Sequence, residues 1–146
     1  MQQLESIYFI GAGGIGMSAL VRYYLAQGIP VGGYDRTETE LTRRLTEEGA
    51  QIHYTDDPAS IPAAFRNPAH TLVVYTPAIP ADHQEMAWFR SQGFEIQKRA
   101  YVLGLLTRSM KGLCVAGTHG KTTTTSMLAH LLHQSHVGCN AFLGGI

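Results

Sequence analysis

The stretch Val115-Ala116-Gly117-Thr118-His119-Gly120-Lys121-Thr122-Thr123 leaves few folds open, because it sets a glycine-punctuated loop between the apolar run Leu113 to Ala116 and a helical pattern from Thr123 to His133. A strand that ends in such a turn lets Gly117 and Gly120 take backbone angles that a side chain forbids, and successive amide N–H groups then point at one anion. The helix that follows adds the positive end of its dipole. Lys121 places an ammonium at the terminal phosphates of a nucleotide, and the Thr122 hydroxyl is a natural ligand for a magnesium ion bridging them. One position departs from the pattern G-x-x-x-x-G-K-[ST]: Val115 stands where the first glycine falls, and the glycine comes at Gly117 instead. The plainer alternative is a strand-to-helix turn with an exposed lysine, and the tight G-x-x-G-K-T-T spacing weighs against it.

A second glycine turn stands near the N-terminus. Ile7 to Ile10 is a short apolar run that ends in Gly11-Ala12-Gly13-Gly14-Ile15-Gly16, after which Ala19, Leu20 and Tyr23 recur at helical spacing. The glycines at 11, 13 and 16 match G-x-G-x-x-G, in which the first makes the turn, the second admits a phosphate and the third lets helix and strand pack closely. Gly28 ends the helix, Val31 to Tyr34 reads as a second strand, and Asp35 follows about 20 residues after the glycines, where a ribose-binding acid is expected. Asp35 is equally well placed to N-cap the helical segment Glu38 to Glu48, whose Leu41 and Leu45 share a face.

The same rhythm continues. Gly49 stops that helix, Gln51 to Tyr54 makes a third strand, and Thr55-Asp56-Asp57-Pro58 is a turn. Pro62 and Pro68 bracket a short irregular or helical piece before Thr71 to Tyr75, the most apolar strand of this half. Pro77 and Pro80 hold the next loop extended. Asp82 can cap a helix through Gln92, Gly93 ends it, Phe94 to Gln97 is a fifth strand, and Lys98-Arg99 opens a helix to about Leu106. Strands alternating with helices in this way predict an α/β fold with a Rossmann-like open parallel sheet and helices on both faces. Right-handed crossovers put the loops after strands one, two and four on one edge, where ligands bind. A polar stretch from Thr107 to Lys111 marks the boundary between this unit, residues 1–107, and the first strand, phosphate loop and helix of a second α/β unit, residues 108–146.

Composition narrows the partners. Eleven basic residues balance eleven acidic ones, so no broad positive field exists to hold nucleic acid or an anionic membrane, and any anion must be bound locally. No apolar run approaches the length of a membrane span, and the N-terminus enters a strand without a basic region and cleavage site, which makes the cytoplasm the expected location. Cys114 and Cys139 lack metal-ligand spacing and are expected to remain thiols, and His130, His133 and His136 have no carboxylate or cysteine at ligand spacing.

A G-x-G-G-x-G-M turn together with G-T-H-G-K-T-T-T-T in a second unit resembles the Mur ligases. The resemblance spans the chain and is carried by Ile10 to Met17, by Tyr75 to Ile79 in the place of a family Ser-Ser-Ala-Ile loop, by Arg99-Ala100, by Gly117 to Ser126 and by Phe142 to Ile146. His119 favours the alanine-adding branch, since other members usually carry Asn there. The resemblance implies an ATP-dependent, magnesium-requiring enzyme of peptidoglycan synthesis that phosphorylates a substrate carboxylate and lets an amino group attack the acyl phosphate. Its substrates would be UDP-N-acetylmuramate and L-alanine. Carried onto this sequence, Ala12, Gly13, Gly14, Ile15 and Gly16 would receive the UDP-sugar diphosphate, Asp35 the uridine part, and Thr76, Pro77, Ala78 and Ile79 would line the same pocket. Gly117, Thr118, His119, Gly120, Lys121, Thr122 and Thr123 would hold ATP, with Thr122 on magnesium and Lys121 as the catalytic cation that neutralises the transferred phosphoryl group.

Two departures bear on substrate contact: Thr55-Asp56 replaces a usual Gly-His, and Tyr75 and Thr76 replace serines. The family's remaining magnesium ligands and amino-acid-binding domain lie beyond Ile146, so the expectation is an N-terminal part without turnover of its own. The alternatives are a related ligase that attaches a recycled murein tripeptide to the same UDP-sugar, and an NAD-binding regulatory domain in which the second loop is fortuitous. Met127, Leu128, Leu131 and Leu132 form an apolar stripe behind that loop, which favours self-association with a second copy over disorder.

Overall fold

The computed structural model describes residues 4–143. Five strands, β1 (Ser6–Ile10), β2 (Val31–Tyr34), β3 (Gln51–His53), β4 (Thr71–Tyr75) and β5 (Glu95–Lys98), form one parallel sheet in the order β3-β2-β1-β4-β5. The order reverses direction at β1, leaving the crevice between the loops after β1 and β4 as the natural ligand position. Central β1 is buried at every residue, as an apolar run covered on both faces must be, whereas the edges Gln51–His53 and Glu95–Lys98 are polar and partly exposed.

Alternation along β1 and β4 divides the core. Ile7, Phe9 and Val74 face one side, where α1 (Ile15–Ala26), α2 (Glu40–Glu47) and α4 (Arg99–Ser109) contribute Leu20, Val21, Leu45 and Val102. Tyr8, Ile10 and Val73 face the other, packed by α3 (Gln84–Ser91) through Met86 and Phe89, and by Ile61 and Phe65 from a stretch holding two 3₁₀ turns, Pro58–Ser60 and Ala63–Phe65. Helices on both faces of a parallel sheet agree with the sequence reading, and the glycines expected to stop α1, α2 and α3 carry the left-handed φ of 74°, 115° and 75° at Gly28, Gly49 and Gly93.

The caps differ from expectation. Thr39, not Asp35, caps α2, in a reciprocal pair with Thr42; Asp35 lies too far upstream for that role. His83, not Asp82, caps α3, its ring nitrogen accepting the Met86 N–H at 3.2 Å. The larger correction concerns the second unit. Residues 111–116 form no strand, because a parallel strand exists only through a neighbour's hydrogen bonds and no strand of the described sheet is offered to them. Helix α5 (Lys121–Gln134) does form, beginning slightly before the expected Thr123, but no residue of it is buried. Leu113, Met127, Leu131 and Val137 are 64 to 68% exposed, while Phe142 returns to α1 with its ring 6.1 Å from that of Tyr23. Residues 144–146, the end of the Phe142 to Ile146 motif, lie outside the described residues.

Candidate functional site

The chain leaves β1 at Gly11, whose φ of 88° turns it back so that the N–H groups of Gly11 and Ala12 both donate to Tyr34 O, at 2.8 and 3.0 Å. That pair of bonds fixes the turn to the end of β2. Asp35, the next residue, accepts the Gly13 N–H on Oδ2 at 2.7 Å and the Thr37 N–H on Oδ1 at 3.1 Å. A side chain at Gly13 would collide with Thr42 Cγ2 and Asp35 Oδ2, which accounts for the second glycine. The third has a different role from the one expected. The space beside Gly16 is filled by the Arg99 guanidinium from the start of α4, not by the backbone of β1. Ile15 and Gly16 open α1, where first-turn N–H groups have no intrahelical acceptor and point outward with the dipole.

These parts line a cleft of about 600 Å³ at the carboxyl edge of the sheet, formed by Gly11, Gly13 and Gly14 of the glycine turn, by Tyr34, Asp35 and Arg36 at the end of β2, by Asp56, and by Thr76, Ala78, Ile79, Pro80, Asp82, His83 and Gln84 between β4 and the start of α3. Of the residues assigned to it from sequence, Gly13, Gly14, Asp35, Thr76, Ala78 and Ile79 line it. Ala12 is buried beneath the turn, Pro77 is exposed outside the lining, and Ile15 and Gly16 stand on the α1 side. The sequence reading missed Tyr34, Arg36, Asp56, Pro80, Asp82, His83 and Gln84 as lining residues. Tyr34 and Arg36 flank Asp35 and were within reach of the strand-end argument, whereas His83 arrives from a distant helix cap that no motif signals.

Below the cleft lies a buried polar cluster. Glu85 is fully buried and accepts the Tyr8 hydroxyl at 2.7 Å, while His53 Nε2 lies 2.5 Å from its other oxygen. Asp56 caps the same helix end, its carboxylate accepting the Gln84 and Glu85 N–H groups at 2.9 and 3.0 Å. Burial first, and the Glu85 carboxylate second, push the Tyr8 phenol far above its ordinary value. Tyr34 is raised for the same reason, burial leading, with the carboxylates of Asp56, Glu85 and Asp35 adding to it. Asp56 and Asp82 make the end of the cleft near α3 acidic, while the N-terminus of α1 favours an anion near the glycine turn, where Asp35 already holds the Gly13 N–H.

The second loop stands apart, and none of its residues lines the cleft. Gly120 takes φ 78° as it caps α5, and Lys121 Nζ donates to Gly117 O at 2.7 Å and more weakly to Thr118 O at 3.4 Å. The ammonium thus closes the loop on its own carbonyl oxygens. Gly117, Thr118, His119, Gly120, Lys121, Thr122 and Thr123 are all exposed. Cys114 and Cys139 are free and exposed, and no group of three potential metal ligands occurs among the described residues. No described helix is long and apolar enough to cross a membrane.

Known proteins are similar to this chain in sequence and in fold. A UDP-N-acetylmuramate–L-alanine ligase of Phocaeicola vulgatus is 71% identical over 143 residues, covering 98% of this chain and 31% of that protein. The chain therefore spans about a third of the length of the curated relatives it matches. The crystal structure of a UDP-N-acetylmuramate-alanine ligase from Thermotoga maritima superposes with a TM-score of 0.76 at 36% identity, over 87% of this chain and 29% of that one. A murein peptide ligase from Psychrobacter arcticus reaches the same TM-score at 30% identity, over 88% and 26%. The Mur ligase family, catalytic domain, matches residues 6–111, more than two thirds of the sequence. A Rossmann-like sheet with its cleft at the switch point, and a family match across the whole of that sheet, lead to one conclusion: the chain belongs to the Mur ligase family.

Proposed function

We propose that the chain is the substrate-binding part of a cytoplasmic, ATP-dependent ligase that joins L-alanine to UDP-N-acetylmuramate through an acyl phosphate. The observation that carries the reading is the cleft, which is lined by the glycine turn that opens α1 and by Asp35, the acid that follows β2 where a ribose-binding group is expected. The UDP-sugar lies along it, with the diphosphate at Gly13, Gly14, Ile15 and Gly16 and with Thr76 to Ile79 closing the opposite wall. Similarity to the alanine-adding ligases supports the choice of amino acid over the murein peptide.

In this reading residues 1–107 form the UDP-sugar domain and residues 108–146 begin the ATP-binding one. The loop fits a nucleotide in its chemistry: the first turn of α5 offers outward N–H groups, Lys121 an ammonium, and Thr122 an exposed hydroxyl that would hold magnesium. Magnesium, when bound, neutralises phosphate charge. Lys121 leaves the Gly117 and Thr118 oxygens to meet the transferred phosphoryl group. The exposed stripe of α5 associates with a second copy of the chain.

Calorimetry tests the assignment of the cleft. UDP-N-acetylmuramate is expected to bind more tightly than UDP, and UDP more tightly than NAD. The reverse order, with NAD tightest, would overturn it.

A further inference from the structure

The acidic end of the cleft contains an imidazole with one nitrogen in use and the other idle. His83 is only 4% exposed, lines the cleft, and caps α3 by accepting the Met86 N–H on Nδ1. A ring nitrogen that accepts a hydrogen bond carries no proton, so the neutral imidazole holds its proton on Nε2. Asp56 Oδ1 lies 3.3 Å from Nδ1 without a hydrogen bond between them, and the Nδ1 lone pair is held by the Met86 N–H. Nε2 is buried and has no partner among the described residues. The Tyr34 ring stands edge-on to the imidazole with centroids 4.7 Å apart.

A sealed donor without an acceptor is unfavourable in the free protein, and any ligand that supplies the acceptor removes the penalty. The cleft's polarity says which part of a ligand reaches it. With a diphosphate at the glycine turn and a ribose at Asp35, the base falls toward Asp56, Asp82, His83 and Gln84. We propose that His83 is the specificity-determining residue of the cleft, its Nε2–H donating to a carbonyl oxygen of a uracil base. This inference rests on the reading of the cleft as a UDP-sugar site.

The test uses the full chain with UDP and with inorganic pyrophosphate, which carries no base. Nitrogen-edited NMR of the free protein should show His83 protonated on Nε2 alone, and UDP, but not pyrophosphate, should move that proton to the chemical shift of a hydrogen-bonded imidazole. His83→Asn keeps a side-chain acceptor for the Met86 N–H but ends short of the Nε2 position. It is expected to weaken UDP about tenfold, the loss of one hydrogen bond, and to leave pyrophosphate unchanged. An unmoved Nε2 proton at saturating UDP, or a folded His83→Asn variant with wild-type UDP affinity, would overturn the proposal. If the variant does not fold, the wild-type spectrum decides. A wild-type protein that binds no UDP at all would instead defeat the reading of the cleft on which the inference rests.

Discussion

The molecule contains two glycine turns with nearly the same local grammar and very different surroundings. Both introduce a helix, α1 in one case and α5 in the other, and both present first-turn N–H groups. The first is held by bonds from Gly11 and Ala12 to β2, by Asp35 on Gly13, and by a strand buried at every residue. The second is held by its own lysine and by nothing from the sheet. Local sequence is enough to start a helix and set its cap, but a strand requires a partner, and the run from Leu113 to Ala116 stays unpaired.

The two regions should differ most in how much their apolar side chains stabilise the fold. Phe89 is fully buried, with Tyr8 and Phe94 rings 5.0 and 4.8 Å away, so Phe89→Ala should cost about 3–5 kcal/mol in urea unfolding. Leu131→Ala in α5 should change stability by less than about 0.5 kcal/mol, since the side chain is 67% exposed. A cost above about 2 kcal/mol at Leu131 would mean that α5 is packed in solution and the contrast is false.

A smaller effect should come from the cluster under the cleft. Tyr8→Phe leaves Glu85 buried with one partner fewer and should cost about 1–3 kcal/mol. The same hydroxyl carries a pH signature. Its folded pKa is raised, so its stabilising effect is complete below the ordinary tyrosine value of 10.0 and is lost as pH rises beyond it, when the unfolded chain ionises and the folded one does not. Urea midpoints measured from pH 8 to 11 should fall at the alkaline end, and less steeply in Tyr8→Phe. An equal slope in both proteins would assign the loss to other groups.

The smallest effect is intermolecular. Light scattering should show mass above one chain at high concentration, and replacing Met127 and Leu131 with serine should return it to one chain; a monomer in both cases would remove the second copy as the stripe's partner.

The sheet was legible because its strands are short apolar runs separated by glycine-stopped helices, and β2 and β4 have the bounds read from sequence. The glycine side of the cleft was legible for the same reason, since Gly13, Gly14 and Asp35 belong to one βαβ unit. The acidic side was not. His83 and Asp56 meet there although 27 positions separate them, and what joins them is the N-terminus of α3, a tertiary relation with no fixed spacing. The N-cap alternative for Asp35 fell to Thr39, and Asp35 instead accepts the Gly13 N–H, a bond that spacing alone could not reveal.

Arg99 rests against Gly16 at the first residue of α4, and the last turn of α4 leads directly into the approach to the second glycine loop. The helix is in effect a strut. Its eleven residues make a rod about 16 Å long, fixed at its first residue to the turn that faces the cleft and, one turn on, to the core through the buried Val102. From Met110 to Gly120 the chain is neither helix nor strand, so the first glycine turn is braced by the fold while the second hangs from the far end of the strut.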